Sequence, residues 1–126
     1  MITHPNRVLL VLLMLLAATA ASVADSAREM ISAGRIDDAI AELNGRLSSV
    51  PADAESANLL CRAYFELEDW DRAESSCKKA AVLNPNDSHF HLWLGRVYGE
   101  RATRTNFLVA TSLAAKVRFT ASSSRR

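Results

Sequence analysis

Three arginines, Arg28, Arg62 and Arg96, follow one another at intervals of 34 residues. A guanidinium is a planar fork of donors that grips a carboxylate through two parallel hydrogen bonds. A regular ladder of such forks therefore suits an extended acidic peptide or a free carboxylate. A blander pairing is equally open: Glu66 and Glu100 follow Arg62 and Arg96 by four residues, the spacing of an along-helix ion pair. Such an exposed pair contributes only ~0.3–0.5 kcal/mol. Cys61 and Cys77 are the only cysteines, an even number that fits either one bridge or two small buried hydrophobes. They form neither a C-x-x-C redox motif nor a zinc-binding set. His89 and His91 are the one pair of metal-ligand type. Two residues apart on a helix they point about 200° away from each other, a poor geometry for sharing an ion. With no G-x-S-x-G, H-E-x-x-H or phosphate-cradling loop, the expectation is a non-enzymatic chain with no cofactor and no metal.

The elements that carry these residues are helices. Ile36–Val50, Ala54–Leu67 and Trp70–Leu83 each place apolar residues at i, i+3, i+4 spacing, which predicts amphipathic helices. Pro51 and Pro85 lack the amide that would continue a helix and stop it where they stand. Asp87 and Ser88 are side chains suited to open the next one. The 34-residue interval is general: Asp37 and Asp71, Ala39 and Ala73, and Pro51 and Pro85 all repeat at it.

The second unit, Ala54–Asp87, carries Leu60, Cys61, Tyr64, Ala73, Cys77, Ala80 and Pro85 in the grammar of a helical hairpin, and Leu94-Gly95-Arg96-Val97-Tyr98 opens a third. This pattern, over about residues 26–101, resembles the tetratricopeptide repeat. The resemblance implies an all-α, right-handed helical-hairpin solenoid of about three repeats (25–53, 54–87 and 88–118), the last incomplete. Small residues at Ala39, Ala73 and Ala80 are where the two helices of a hairpin approach closely. Cys61 and Cys77 then lie on the two helices of one unit.

In that arrangement the first helix of each unit lines a concave groove. The resemblance places Arg28, Asn58, Arg62, Phe65, Glu66, His89, Leu92, Arg96 and Glu100 there as the candidate surface for a peptide or partner protein. Its general role is protein–protein interaction and scaffolding. The third unit drifts after Tyr98. Phe107 stands where a small residue is expected, and shifting the register by three puts Ala110 there instead. Asn106–Arg118 is predicted to be a helix with one apolar face, and the Ser-rich, basic 119–126 a frayed tail. An uncovered last unit makes self-association the alternative function.

Length and charge frame this reading. The 126 residues suit one domain, and a net charge of +1 argues against nucleic acid as a partner; nothing points to a small-molecule substrate. The charge is polarised: residues 25–87 carry net −6 and residues 88–126 net +6. Residues 1–24 stand apart, with one cation at Arg7, an apolar run from Val8 to Ala18, and Ser22-Val23-Ala24 before Asp25. That is the pattern of a cleaved export signal. The run rises only about 16 Å as a helix, short of a ~30 Å hydrocarbon core. The expected location is periplasmic or secreted, with a membrane tether as the alternative if the segment is retained.

Overall fold

The computed structural model describes the backbone of residues 5–123 and the side chains of 6–15 and 23–115. Within these bounds the chain forms five helices and no strand: α1 (Pro5–Ser32), α2 (Ile36–Ser49), α3 (Ala54–Glu66), α4 (Trp70–Leu83) and α5 (Ser88–Ser123). The order is that of a helical-hairpin solenoid. Helices α1 and α2 form one hairpin and α3 and α4 the next, while α5 packs on both helices of the second.

Each boundary has a local cause. Gly34 takes φ +76° after α1, the left-handed conformation that a residue without Cβ adopts freely. Glu68 does the same job after α3 at φ +56°, and a non-glycine residue there is uncommon. The side chain of Asp53 accepts from the Ser56 amide at the start of α3, and that of Asp69 from the Arg72 amide at the start of α4. Each satisfies an amide that the first turn leaves without a partner. Asp87 receives the His89 amide at 2.9 Å before α5. Arg46, near the end of α2, meets Asp53 at 2.9 Å, with both side chains largely buried, and so ties the two hairpins together.

The core follows the small positions of the repeat. Ala39, Ala73, Cys77 and Ala80 are fully buried, which lets the paired helices approach closely. Leu43, Leu59, Leu60, Tyr64 and Val97 fill the space between, with Ala24 and Ala27 contributed by α1. A smaller cluster joins Ala57, Ala80 and Phe90 across the start of α5. Cys61 and Cys77 are bridged, with Cα atoms 5.1 Å apart and both side chains fully buried.

Two features differ from expectation. Helix α1 runs unbroken through the Ala24–Asp25 junction, and Ala24 packs in the core. Its residues 6–15 are exposed on all sides; the expected export segment falls partly on 1–4 and on the side chains of 16–22, which lie outside the described residues. Among the described residues no helix is long and apolar enough to cross a membrane. The larger difference is in the third unit, which makes no hairpin. Helix α5 continues as one rod through Ser123, so Asn106–Arg118 extends the first helix of the unit instead of folding back on it. The expected frayed tail is helical backbone from Phe119 to Ser123, and 124–126 lie outside the described residues. The physical reason is the turn. Residue 102, which is 34 beyond Glu68, is Ala102 in helical conformation, and the hydroxyl of Thr103 bonds back to the Gly99 carbonyl at 2.9 Å instead of capping a new helix.

Candidate functional site

The first helices of the three units, α1, α3 and α5, lie side by side, and the candidate groove residues are distributed along them. Arg62 on α3 and Arg96 on α5 both place their guanidinium groups over the ring of Trp93, at 5.0 and 4.7 Å from its centroid. Phe65, one turn beyond Arg62, meets Trp93 edge-on at 5.7 Å and Trp70 at 5.3 Å. The result is a continuous cationic and aromatic surface spanning two units. Stacking of a guanidinium on an aromatic face contributes about 0.5–2 kcal/mol, more as water is excluded.

Neither arginine pairs with the glutamate four residues on. Among the described residues, Arg62 and Arg96 enter no salt bridge at all. Glu66 and Glu100 are exposed. The ring of Trp93 competes successfully with those carboxylates because an exposed ion pair is worth so little in water. The cationic forks therefore remain without an acidic partner among the described residues. The Nε of Arg62 is buried and makes no hydrogen bond.

Arg28 behaves differently. It bonds Asp25 at 2.7 Å on its own helix and Glu55 at 2.5 Å on α3, so its fork is occupied and the ladder of three reduces to two. Asn58 is fully buried, and both polar atoms of its amide lack a hydrogen-bond partner. It lies behind the surface and is not part of what a ligand can touch. Leu92 is about half exposed at 53%. His89 accepts the indole N–H of Trp93 at 3.3 Å, which holds the ring in place. His91 is separate: its Nε2–H donates to the Pro85 carbonyl at 2.7 Å. No group of side chains able to hold a metal ion exists among the described residues.

Clefts of about 330 and 470 Å³ open elsewhere, the first between α2, α3 and α4 at Asn44, Leu60 and Lys79, the second at Trp70, Arg104 and Leu108. Both are open to solvent and neither contains the Arg62–Trp93–Arg96 cluster. The perturbed carboxyls also lie outside it. Burial pushes Asp53 up, but the Ser56 amide, Arg46 and the Ser56 hydroxyl together bring it below the usual carboxylate range. The Arg72 amide and side chain lower Asp69, and Lys78, with Arg101, lowers Glu74. These groups hold helix ends and helix pairs together; they are not poised for proton transfer.

Trp93 is the residue that sequence reasoning overlooked. It lies 34 beyond Leu59, which is fully buried, and so reads as a core position of the repeat. The signal available was its size, since an indole at that register reaches past the core to the neighbouring arginines.

Stacked helical hairpins, α1 with α2 and α3 with α4, followed by α5 against the second pair, define a helical-hairpin repeat architecture. The tetratricopeptide repeat family model matches residues 30–96, more than half of the chain. The protein belongs to the tetratricopeptide repeat family, whose repeats generally mediate protein–protein interaction. No curated protein matches the chain.

Proposed function

We infer that this chain is a docking module whose surface at Arg62, Trp93 and Arg96 takes an extended peptide of a partner protein through that peptide's carboxylates. The supporting observation is the pair of guanidinium groups over Trp93 with no salt bridge to them among the described residues. A stacked guanidinium keeps its in-plane N–H edge free, so it can hold a ring and a carboxylate at once. Phe65 and Leu92 add apolar surface on which side chains beside that carboxylate can rest. The reading extends to location. The Arg7, Val8–Ala18 and Ser22-Val23-Ala24 pattern favours export with removal of residues 1–24. A bridge between Cys61 and Cys77 suits an oxidising compartment, periplasmic or extracellular.

Panning a random peptide library with free C-termini on the immobilised full-length chain tests the binding reading. Enriched peptides are expected to carry Asp, Glu or a required terminal carboxylate, and to be lost from Arg62→Glu/Arg96→Glu. Enrichment without acidic character, or equal retention by the variant, contradicts it. N-terminal sequencing of the protein recovered from the cell envelope or medium tests export: Asp25 as first residue supports it, and a retained Met1 does not.

A further inference from the structure

Helix α5 outruns the body on which it packs. Phe90 and Val97 are buried, and Arg101, Arg104 and Leu108 follow them on the same side of the helix, all within about 60° at 100° per residue. Arg101 reaches Asp71 and Glu74, Arg104 reaches Glu68 at 2.6 Å, and Leu108 lines the cleft beside Trp70. That side is the one turned toward α4 and the turn before it. From Ala102 to Ala115 every residue is exposed.

The opposite side is apolar. Phe107, Val109, Ala110, Leu113 and Ala114 fall in an arc of about 160° directed away from α4, with Asn106 its one polar member and no charge within it. Phe107, Val109 and Leu113 are more than half exposed. Upstream the same side continues with Gly95, Gly99 and Ala102, and a Cβ added at either glycine meets nothing within 4 Å, so the side is open to an approaching surface. Propensity does not hold this segment helical. Thr103, Thr105, Asn106, Phe107, Val109 and Thr111 are all weak helix formers, and a short helix without a packed face is marginal in water. Burial of the arc would supply the missing stabilisation.

Charge identifies what covers it. Residues 101–126 contain five arginines, one lysine and no acid. Arg101 and Arg104 are engaged by the acids beside α4; Lys116, Arg118, Arg125 and Arg126 come after. Helical periodicity puts positions 116 and 118 at the two borders of the apolar arc. Among the described residues no helix is long and apolar enough to cross a bilayer, but an apolar arc bordered by cations is the pattern of a helix lying in the membrane interface. We propose that residues 106–118 of α5 dock this chain on an anionic lipid bilayer, with the helix axis in the plane of the surface and Val109, Ala110 and Leu113 among the acyl chains. A segment with six cations and not one acid is matched by a surface of uniform negative charge. Leu113 lies about 25 Å along the rod from Arg96, so the bilayer leaves the Arg62–Trp93–Arg96 surface open, and the proposal stands independently of what binds there.

Full-length Leu113→Cys and Ala115→Cys, each labelled with nitrobenzoxadiazole, test it; Cys61 and Cys77 are bridged, so the label goes to the new thiol alone. With vesicles containing phosphatidylglycerol, the label at 113 is expected to shift to the blue and brighten several-fold, and doxyl-lipid should quench it. The label at 115, about 160° around the helix, should change little. Pure phosphatidylcholine vesicles should give no shift, and high salt should reverse it. In vesicle flotation Val109→Asp/Leu113→Asp, at exposed positions that leave the fold intact, should lower the bound fraction about tenfold or more. Vesicle binding without a shift at 113 means that another segment, such as the apolar 8–15 of α1, makes the contact. Equal shifts at 113 and 115 mean that no oriented face is used, and a shift produced by unlabelled chain instead of vesicles means that a second copy covers the arc. Each of these overturns the proposal, as does an unaltered bound fraction in the Asp variant.

Discussion

Reducing the bond between Cys61 and Cys77 should weaken the fold by about 3 kcal/mol without removing a packed atom. The bridge closes a loop with a sequence separation of 16. A cross-link of that span removes about 10 cal/mol/K from the entropy of the unfolded chain, or about 3 kcal/mol at 25 °C. Both sulfurs are fully buried between α3 and α4, so the reduced thiols still fill the same volume as small hydrophobes. The comparison of oxidised and reduced protein therefore isolates the cross-link from the cavity that substitution would leave. The assay is urea unfolding followed by far-UV circular dichroism, with the reduced sample prepared under denaturant and refolded in reductant. With the slope for a small domain near ~1–2 kcal/mol/M, the midpoint should fall by roughly 1.5–3 M. Coincident curves would refute the reasoning, as would two titratable thiols in protein unfolded without reductant.

Three further outcomes are expected. Asp53→Ala should cost about 2–3 kcal/mol, from a lost N-cap worth ~1 kcal/mol and an arginine left unpaired at ~1–2 kcal/mol; the side chains of Arg46 and Asp53 are only 17% and 14% exposed, and a urea midpoint measures the loss. Asp53, Asp69 and Glu74 all titrate below their ordinary range in the folded chain. The stability they contribute is thus fully present above the unfolded values near ~4 and lost as pH falls through the folded ones; unfolding curves at pH 7, 4 and 3 should show the decline, shallower in Asp53→Asn. Leu43→Ala should cost ~3–5 kcal/mol because Leu43 is fully buried in the main core cluster, with the thermal midpoint as the readout.

The parts of this fold visible in the sequence are those determined by local rules. The repeated Ala and Pro positions and the i, i+4 apolar stripes delimit α2, α3 and α4 to within about a residue of the observed ends. The caps Asp53 and Asp69 were also visible in principle, as acidic residues directly before apolar-periodic segments. What escaped depends on a balance between neighbours distant in sequence. Arg28 looked like a member of a free ladder because its partner Glu55 lies 27 residues away on another helix. Arg62 and Arg96 looked equally able to pair with Glu66 and Glu100, and only the position of Trp93 in space decides against it. The rod α5 depends on one backbone choice at Ala102, where Gly34 and Glu68 turn and alanine, the best helix former, does not.

The central claim is that Arg62 and Arg96 are held over Trp93 to receive carboxylates from a partner. Calorimetric titration of an acidic peptide selected on the full-length chain tests this directly, comparing Arg62→Glu/Arg96→Glu with Arg35→Glu, which alters a cation paired with Asp38 on α2. Two lost charge-assisted contacts of ~1.5 kcal/mol each amount to about 100-fold in affinity. The account predicts at least that loss in the double variant, with intact helicity, and no significant change in Arg35→Glu. Equal affinity in all three proteins would contradict it.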